Sequence, residues 1–361
     1  LIVGITGSNG FIGYHLWVHI KYLCDDLKVI RLGRDLKFKR AIECDVIVHL
    51  AEKNRGDEKE IYDNNISSAS TLASALGTNK RLLYASSLHE DDDTIFGKYR
   101  RENKLLFSKW AKASNSSFSS LRIPNVFGEF CKPNYNSFVA TFCHKIINNG
   151  EITATSNRVK LVYVQDLCKQ IVDIIREKGD EESYTINHYG VYSVKYIYDR
   201  LLSFKKQYID NNIIPDLSFF DHDSFDLDLF NTFRSYIEDR VVTMDSHSDE
   251  RGYLSETIKT NAGGQSFFST TNPGYIRGQH FHMRKLERFC VLKGEAEINL
   301  RKIGSDKIIT YKVSGKKTQY IDMPLFYTHN ITPSADDEII TLFWTNELLN
   351  KNDADTFWED V

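Results

Sequence analysis

Four side chains in the last quarter of the sequence are of types that ligate a divalent transition metal: His280, His282, Glu287 and His329. In Gly278-Gln279-His280-Phe281-His282 the two histidines lie two apart. On an extended strand such residues point to one face. Glu287 follows after a short turn, ahead of Gly294, and His329 comes from a separate strand-like run, Gln319 to Ile331, after Pro324. Three imidazoles and a carboxylate make a ligand set that suits zinc, and also nickel, iron or manganese, with room for water or substrate. Such an ion either holds structure or polarises a substrate carbonyl. A lone His-x-His pair is ordinarily a polar strand face; four ligand types at this spacing are not.

A second set lies at the other end of the chain. The apolar run Leu1 to Thr6 leads into Gly7-Ser8-Asn9-Gly10-Phe11-Ile12-Gly13, and an apolar helix is expected from Phe11 to Tyr22. Strand, glycine turn and helix in that order form a dinucleotide loop, where backbone amides at the helix start meet a pyrophosphate and glycines permit close approach. Gly7, Gly10, Phe11, Ile12 and Gly13 are therefore expected to contact cofactor, with Leu50 and Ala51 at the end of the β-rich run Asp45 to Ala51. The next strand, Lys28 to Leu32, ends at Gly33-Arg34, with no acid there to hold an NAD ribose. Arg34 lies where a 2′-phosphate would sit, so the cofactor expected is NADP(H).

The rest of the sequence must position these two sets. Further β-rich runs (Arg81 to Ser87, Phe118 to Arg122) alternate with helical ones (Glu60 to Leu76, Tyr99 to Lys112), the pattern of an α/β parallel sheet with helices on both faces. With 361 residues, two domains are expected, 1–240 and 245–361. A 41% hydrophobic content and a mean hydropathy of -0.39 suit a soluble chain with a core in each. A net charge of -3 argues against a nucleic-acid or anionic-membrane binder. No apolar run is long enough to span a bilayer and no signal peptide precedes the first strand, so a cytoplasmic location is expected. The six cysteines follow no pairing motif and are read as reduced thiols. Asp91-Asp92-Asp93 reads as a solvated loop, and the amphipathic stretch Leu227 to Tyr236 as a dock between the halves or an oligomer contact.

Several stretches together carry a family resemblance. Thr6-Gly7-x-x-Gly10-Phe11-Ile12-Gly13, Val48-His49-Leu50-Ala51, Ser86-Ser87 and Arg122-Ile123-Pro124-Asn125-Val126-Phe127-Gly128 are similar to an extended short-chain dehydrogenase/reductase acting on nucleotide-linked sugars. H-x-H-x4-E-x6-G, then P-x4-H-N, is similar to the two cupin motifs. With Cys131 to Ser137, Asp249-x-Arg251-Gly252 and Tyr327-Thr328-His329-Asn330, nearly the whole chain resembles the CapF-type bifunctional enzymes of UDP-N-acetyl-L-fucosamine and capsule-sugar biosynthesis.

The resemblance implies a Rossmann-type doubly wound parallel sheet followed by a C-terminal all-β cupin barrel, in a homodimer. It also implies two reactions on a UDP-linked 4-keto deoxy-aminosugar. The cupin half would epimerise C3 of a UDP-2-acetamido-2,6-dideoxy-4-hexulose, and the reductase half would deliver hydride from NADPH to C4. The chemistry is coherent, because the C4 carbonyl both acidifies the C3 proton and accepts the hydride. Ser87 would match the catalytic serine, Asn125 and Lys132 would face the nucleotide sugar, and Arg251 and Lys259 would hold the diphosphate. Asp249 to Glu256 with Gly278-Gln279-His280 is also similar to the deoxysugar-nucleotide 3,5-epimerases, in which the histidine matching His280 is the base. A metal-bound His280 has its lone pair committed, so it is ligand or base but not both. If a ligand, then Tyr327, Lys259 or a metal-bound hydroxide moves the proton. Phe326 stands where the cupin pattern has glycine and is expected to narrow the pocket mouth.

One departure stands out. The reductase pattern Tyr-x3-Lys reads Phe96-Gly97-Lys98-Tyr99-Arg100. Phenylalanine has no proton to give, and arginine does not replace lysine in shape. Three readings follow: the reductase is impaired, Tyr99 substitutes from one turn on, or another group or water protonates O4. The rival class is a ligand-binding or scaffolding protein, and a further one is an iron dioxygenase.

Overall fold

The computed structural model describes residues 1–33, 39–177, 182–216, 225–238, 241–243, 246–249, 252–255, 258, 264–347, 350 and 352–361. They form two compact units: Leu1–Phe142 with Thr153–Ile197, and Cys143–Ile152 with Tyr198–Val361. The helices beyond Tyr198 thus group with the C-terminal strands.

In chain order the first part contains β1 (Ile2–Thr6), α1 (Phe11–Leu23), β2 (Lys28–Leu32), β3 (Val46–His49), α2 (Glu58–Ala75), β4 (Arg81–Ser87), α3 (Ile95–Ala113), β5 (Ser117–Ile123), β6 (Asn125–Phe127), α4 (Phe138–Ile147), β7 (Arg158–Tyr163), α5 (Val164–Arg176), β8 (Ser183–Thr185), β9 (Gly190–Ser193) and α6 (Val194–Phe204). Six strands make one parallel sheet in the order β2-β1-β3-β4-β5-β8. Its inner strands are apolar on both faces, as a sheet covered on both sides requires: β3 is buried at every residue. Helix α1 packs with α5, and α2 with α3, giving the two covering layers of a doubly wound fold. Strands β6, β7 and β9 form a small separate sheet. Two side-chain caps set the helix starts that matter here. Asp57 accepts from Glu60 N at 2.7 Å to open α2, and Thr94 accepts from Gly97 N at 3.2 Å to open α3, which carries Phe96, Tyr99 and Arg100.

The second unit is all-β after its helices. Following α7 (Phe225–Arg234) come β10 (Val241–Thr243), β11 (Ser246–Asp249), β12 (Gly252–Ser255), β13 (Gln265–Thr271), β14 (Arg277–Phe281), β15 (Glu287–Lys293), β16 (Glu295–Lys302), β17 (Ile308–Ser314), β18 (Gln319–Met323), β19 (Tyr327–Pro333), β20 (Ile339–Thr345) and β21 (Phe357–Trp358). Two antiparallel five-stranded sheets, β10-β18-β15-β20-β13 and β17-β16-β19-β14-β21, enclose a core that includes Phe289, Ile298, Leu300, Ile321, Ile331 and Phe343. Helix α7, expected to join the halves or an oligomer, packs within this unit. Phe230 meets Phe204 and Tyr208, each at 5.3 Å between ring centroids, and Arg234 donates to the Met323 carbonyl of β18. All six cysteines are free and buried. Among the described residues no helix is long and apolar enough to cross a membrane.

Candidate functional site

At the C-terminal ends of β1, β3 and β4 lies a cavity of about 630 Å³. Ligands of doubly wound sheets bind at this edge. Gly7, Gly10, Phe11, Ile12, Gly13, Leu50 and Ala51 line it, and so do Ser87, Phe96, Tyr99, Arg100, Asn125 and Lys132. The structure therefore brings together every described residue that the sequence assigned to the first domain's site. Arg34 lies outside the described residues. The glycines are needed for contact, not only for flexibility. Gly7 has φ +67°, and a Cβ there would stand 2.8 Å from Ala51 N; at Gly13 it would stand 2.3 Å from Gly7 O. Thr6 ties the two loops together. Its hydroxyl donates to His49 Nδ1 at 2.7 Å and accepts from Leu50 N and Ala51 N at 3.2 and 3.3 Å. Burial lowers the His49 pKa to about 4, so the ring stays neutral and keeps a lone pair for that hydroxyl.

The reductase positions form a cluster that the sequence did not announce. Glu52, just past β3, also lines the cavity. Its Oε1 accepts from the Tyr99 hydroxyl at 2.5 Å and from Arg100 Nε at 3.0 Å, while Oε2 accepts from Arg100 Nη2 at 3.0 Å. Tyr99 is fully buried. Burial, and then the Glu52 charge, hold its hydroxyl well above the usual phenol pKa. Burial works against the Arg100 charge, and Glu52, with Tyr99 and Tyr84, more than offsets it. The Phe96 ring meets Tyr99 edge-on at 6.1 Å and lies 5.9 Å from the Arg100 guanidinium carbon. Ser87 Oγ accepts from His89 N at 3.1 Å, a turn-closing bond.

Behind the loop that carries Lys132 stands a group the sequence reading missed. Glu129 is buried; its Oε1 accepts from the Tyr163 hydroxyl at 2.5 Å, and its Oε2 has no hydrogen-bond partner. Burial raises its pKa to about 7, against the opposing pull of the Tyr163 bond. The folded value exceeds the ordinary one of 4.5, so folding retains a proton that the unfolded chain releases. This contribution is fully present below about pH 4.5 and is lost as pH rises through about 7, a change of roughly 3 kcal/mol. Glu129→Gln keeps an acceptor for Tyr163 and should flatten that dependence. Urea unfolding at pH 5 and pH 8 should show the wild-type difference shrinking by most of this amount, and an unchanged difference would place the titration elsewhere.

In the second unit His280, His282, Glu287 and His329 converge, with one ligand atom of each within 4.8 Å of all the others. A bulge makes the convergence possible. On the ladder between β14 and β19, Gly278 pairs with Asn330 but His280 with His329, so Gln279 is the extra residue, at φ +61°. Gly278 has φ +102°, and a Cβ there would stand 2.5 Å from the His329 carbonyl. The ring centroids of His280 lie 5.0 Å from His282 and 4.7 Å from His329. His282 Nδ1 donates to the Asp355 carbonyl at 2.5 Å and His329 Nδ1 to the Tyr327 carbonyl at 3.3 Å. A carbonyl only accepts, so both rings turn Nε2 inward, where each faces Glu287 Oε2, at 3.0 and 3.2 Å. These three atoms and His280 Nδ1 are buried with no hydrogen-bond partner. Lone pairs facing a carboxylate in a buried place call for a cation, and this donor set fits a divalent one.

The chain's last residues hold this cluster from outside. The Asp355 carboxylate accepts from the backbone N–H groups of Met283, Arg284 and Lys285 at 3.2, 2.9 and 2.7 Å. Trp358 meets His280 edge-on at 5.5 Å. Tyr327 is half-buried against the barrel core. Phe326, expected to narrow a pocket mouth, has a buried ring, and its backbone turns at φ +60°. That turn is held by its N–H donating to the His282 carbonyl and its carbonyl accepting from Ile303 N, both at 2.9 Å. Arg251 and Lys259 lie outside the described residues.

A doubly wound dinucleotide cleft and a separate β-barrel with a histidine cluster define a two-part nucleotide-sugar type of enzyme, and the chain belongs to the NAD dependent epimerase/dehydratase family, which residues 3–187 match. Residues 247–357 match the polysaccharide biosynthesis C-terminal domain. Over its whole length the chain is of the CapF type: it is 31% identical to the capsular polysaccharide assembling protein CapF from Staphylococcus aureus, covering 99% of this chain and 100% of that one with a TM-score of 0.60. CapF solved with the inhibitor 3-isopropenyl-tropolone is 30% identical, with full coverage of both chains and a TM-score of 0.53. The UDP-2-acetamido-2,6-beta-L-arabino-hexul-4-ose reductase of Pseudomonas aeruginosa is 29% identical over 98% of this chain and 97% of that protein.

Proposed function

We propose that this chain acts in capsule-sugar biosynthesis as an epimerase at C3 of a UDP-2-acetamido-2,6-dideoxy-4-hexulose, in the C-terminal barrel, and that its first domain binds NADP(H) but reduces the C4 ketone slowly. The observation that carries the first half is the convergence of His280, His282, Glu287 and His329 on one buried point. The four would hold one divalent metal, zinc by choice of donors, and when bound it would supply a positive centre for an oxygen at C4. With His280 a ligand, Tyr327 is the described side chain best placed to carry the C3 proton. It stands on β19 two residues before His329, so the two point to the same face of the strand. Arg251 and Lys259 remain the proposed diphosphate contacts, and Asn125 with Lys132 those of the sugar nucleotide in the first domain.

The second half rests on Phe96 and Arg100. Reduction places hydride on C4 and needs a proton on O4, which the family pattern takes from tyrosine. Here that position is phenylalanine, and the neighbouring Tyr99 hydroxyl is given to Glu52. Losing such an acid costs roughly 10²–10⁴-fold.

The two activities separate in one experiment. In deuterated buffer without NADPH, the 4-keto substrate should take up label at C3, read by NMR. Absence of label at high protein concentration would sink the epimerase and leave the binding-protein reading. Adding NADPH should then oxidise little of it on the timescale of exchange; rapid NADPH consumption would overturn the impaired-reductase reading alone.

A further inference from the structure

We infer that Glu52 sets the charge and hydrogen bonding of the nicotinamide end of the first domain's cleft, by holding Tyr99 and Arg100 together as one charge-compensated unit. The inference rests on the reading that this cleft binds NADP(H), and goes beyond it in naming the residue that decides what the cleft does with the cofactor.

Three facts support it. Glu52, Phe96, Tyr99 and Arg100 all line the one cavity. A single carboxylate takes the tyrosine hydroxyl on Oε1 and the guanidinium through two parallel bonds, the strongest geometry such a pair has. The pair is largely shielded, with side-chain exposures of 13% for Arg100 and 25% for Glu52, so its charges are little screened by solvent. In a Tyr-x3-Lys site the cation stands uncompensated beside the cofactor, lowers the tyrosine pKa and disfavours the cationic, oxidised nicotinamide. Glu52 removes both effects. It follows from the inference that Phe96 is not the whole difference: a lysine placed at 100 would pair with Glu52 as Arg100 does, and could not activate a tyrosine at 96.

The test uses the intact protein and two readouts. Dissociation constants for NADPH and NADP+ are measured for wild type and Glu52→Gln. The variant leaves Arg100 uncompensated, so the ratio of the NADP+ to the NADPH constant should rise about fivefold or more. An unchanged ratio overturns the inference, whereas a wild-type protein that binds neither cofactor overturns the cleft reading and this with it. In the second readout, Phe96→Tyr with Arg100→Lys should oxidise NADPH with the 4-keto sugar within about tenfold of wild type. Adding Glu52→Ala should raise that rate by about a hundredfold. A double variant as fast as the triple also overturns it. This arm reads Glu52 even if Glu52→Gln alone does not fold.

Discussion

Chains carrying His329→Ala or Glu287→Ala are expected to lose stoichiometric metal and to exchange the C3 proton at least about a hundredfold more slowly than wild type. Both side chains are buried, His329 completely. Each offers its atom to a point already shared by three other ligands, so no water replaces it in the same geometry without moving the rest. Asp355→Ala should fall between these variants and wild type, at roughly 10- to 100-fold, the usual effect of losing a group that orients a ligand. It keeps the backbone carbonyl bonded to His282 Nδ1 but loses the carboxylate that fixes the Met283–Lys285 turn. Metal per chain by elemental analysis, set beside deuterium uptake at C3, checks both. A metal-free His329→Ala protein with full exchange would mean that the reaction does not need the metal, and that His280 works as a base with its lone pair free.

What could be read from the sequence divides by the range of the interaction. The glycine loop, the alternating first half and the ligand spacing of the second are local patterns, because backbone sterics and strand periodicity act over a few residues. The spacing of His280 and His282 does not show the bulge at Gln279, which resets the register before either histidine. Glu52 and Asp355 were not legible. Each meets its partners across 47 to 73 residues of sequence, and an acid after β3 or near the chain end carries no local mark of that. The one local hint is that an acid, Glu52, directly follows Val48-His49-Leu50-Ala51 in a chain that lacks the tyrosine and lysine of the reductase pattern. At Phe326, where the motif has glycine, the chain takes a left-handed backbone at φ +60° with a buried ring, which the residue type alone does not foretell. The apolar residues of Leu227 to Tyr236 foretell a buried helix but not its neighbours Phe204 and Tyr208, which lie 26 and 22 residues before Phe230 in the chain.

Asp322→Ala is expected to destabilise the C-terminal unit by about 3–5 kcal/mol, lowering its unfolding temperature on the order of 10 °C. Asp322 sits under α7 and the helix end at Tyr208, where it accepts from Arg288 Nε at 2.8 Å, from Arg288 Nη2 at 3.2 Å and from the Tyr208 hydroxyl. Arg288 is buried, with its guanidinium carbon 3.7 Å from the centre of the Tyr320 ring. Removing the acid leaves a buried cation without its carboxylate partner, and this unpaired charge is the source of the loss. Asp322→Ala with Arg288→Met removes both charges and should recover most of it, since a buried pair gains little net energy over apolar residues of similar volume. Burial would raise the Asp322 pKa, but Arg288, with Arg234 and Tyr208, brings it down to about 2. The folded value lies below the ordinary 3.8, so the contribution is complete above about pH 4 and is lost as pH falls through about 2. The gap between wild type and Asp322→Ala, measured by calorimetry, should therefore be the same at pH 7 and pH 5 and narrow only in strong acid. A gap already closing at pH 5 would show that the carboxylate is not held as the Arg288 geometry requires.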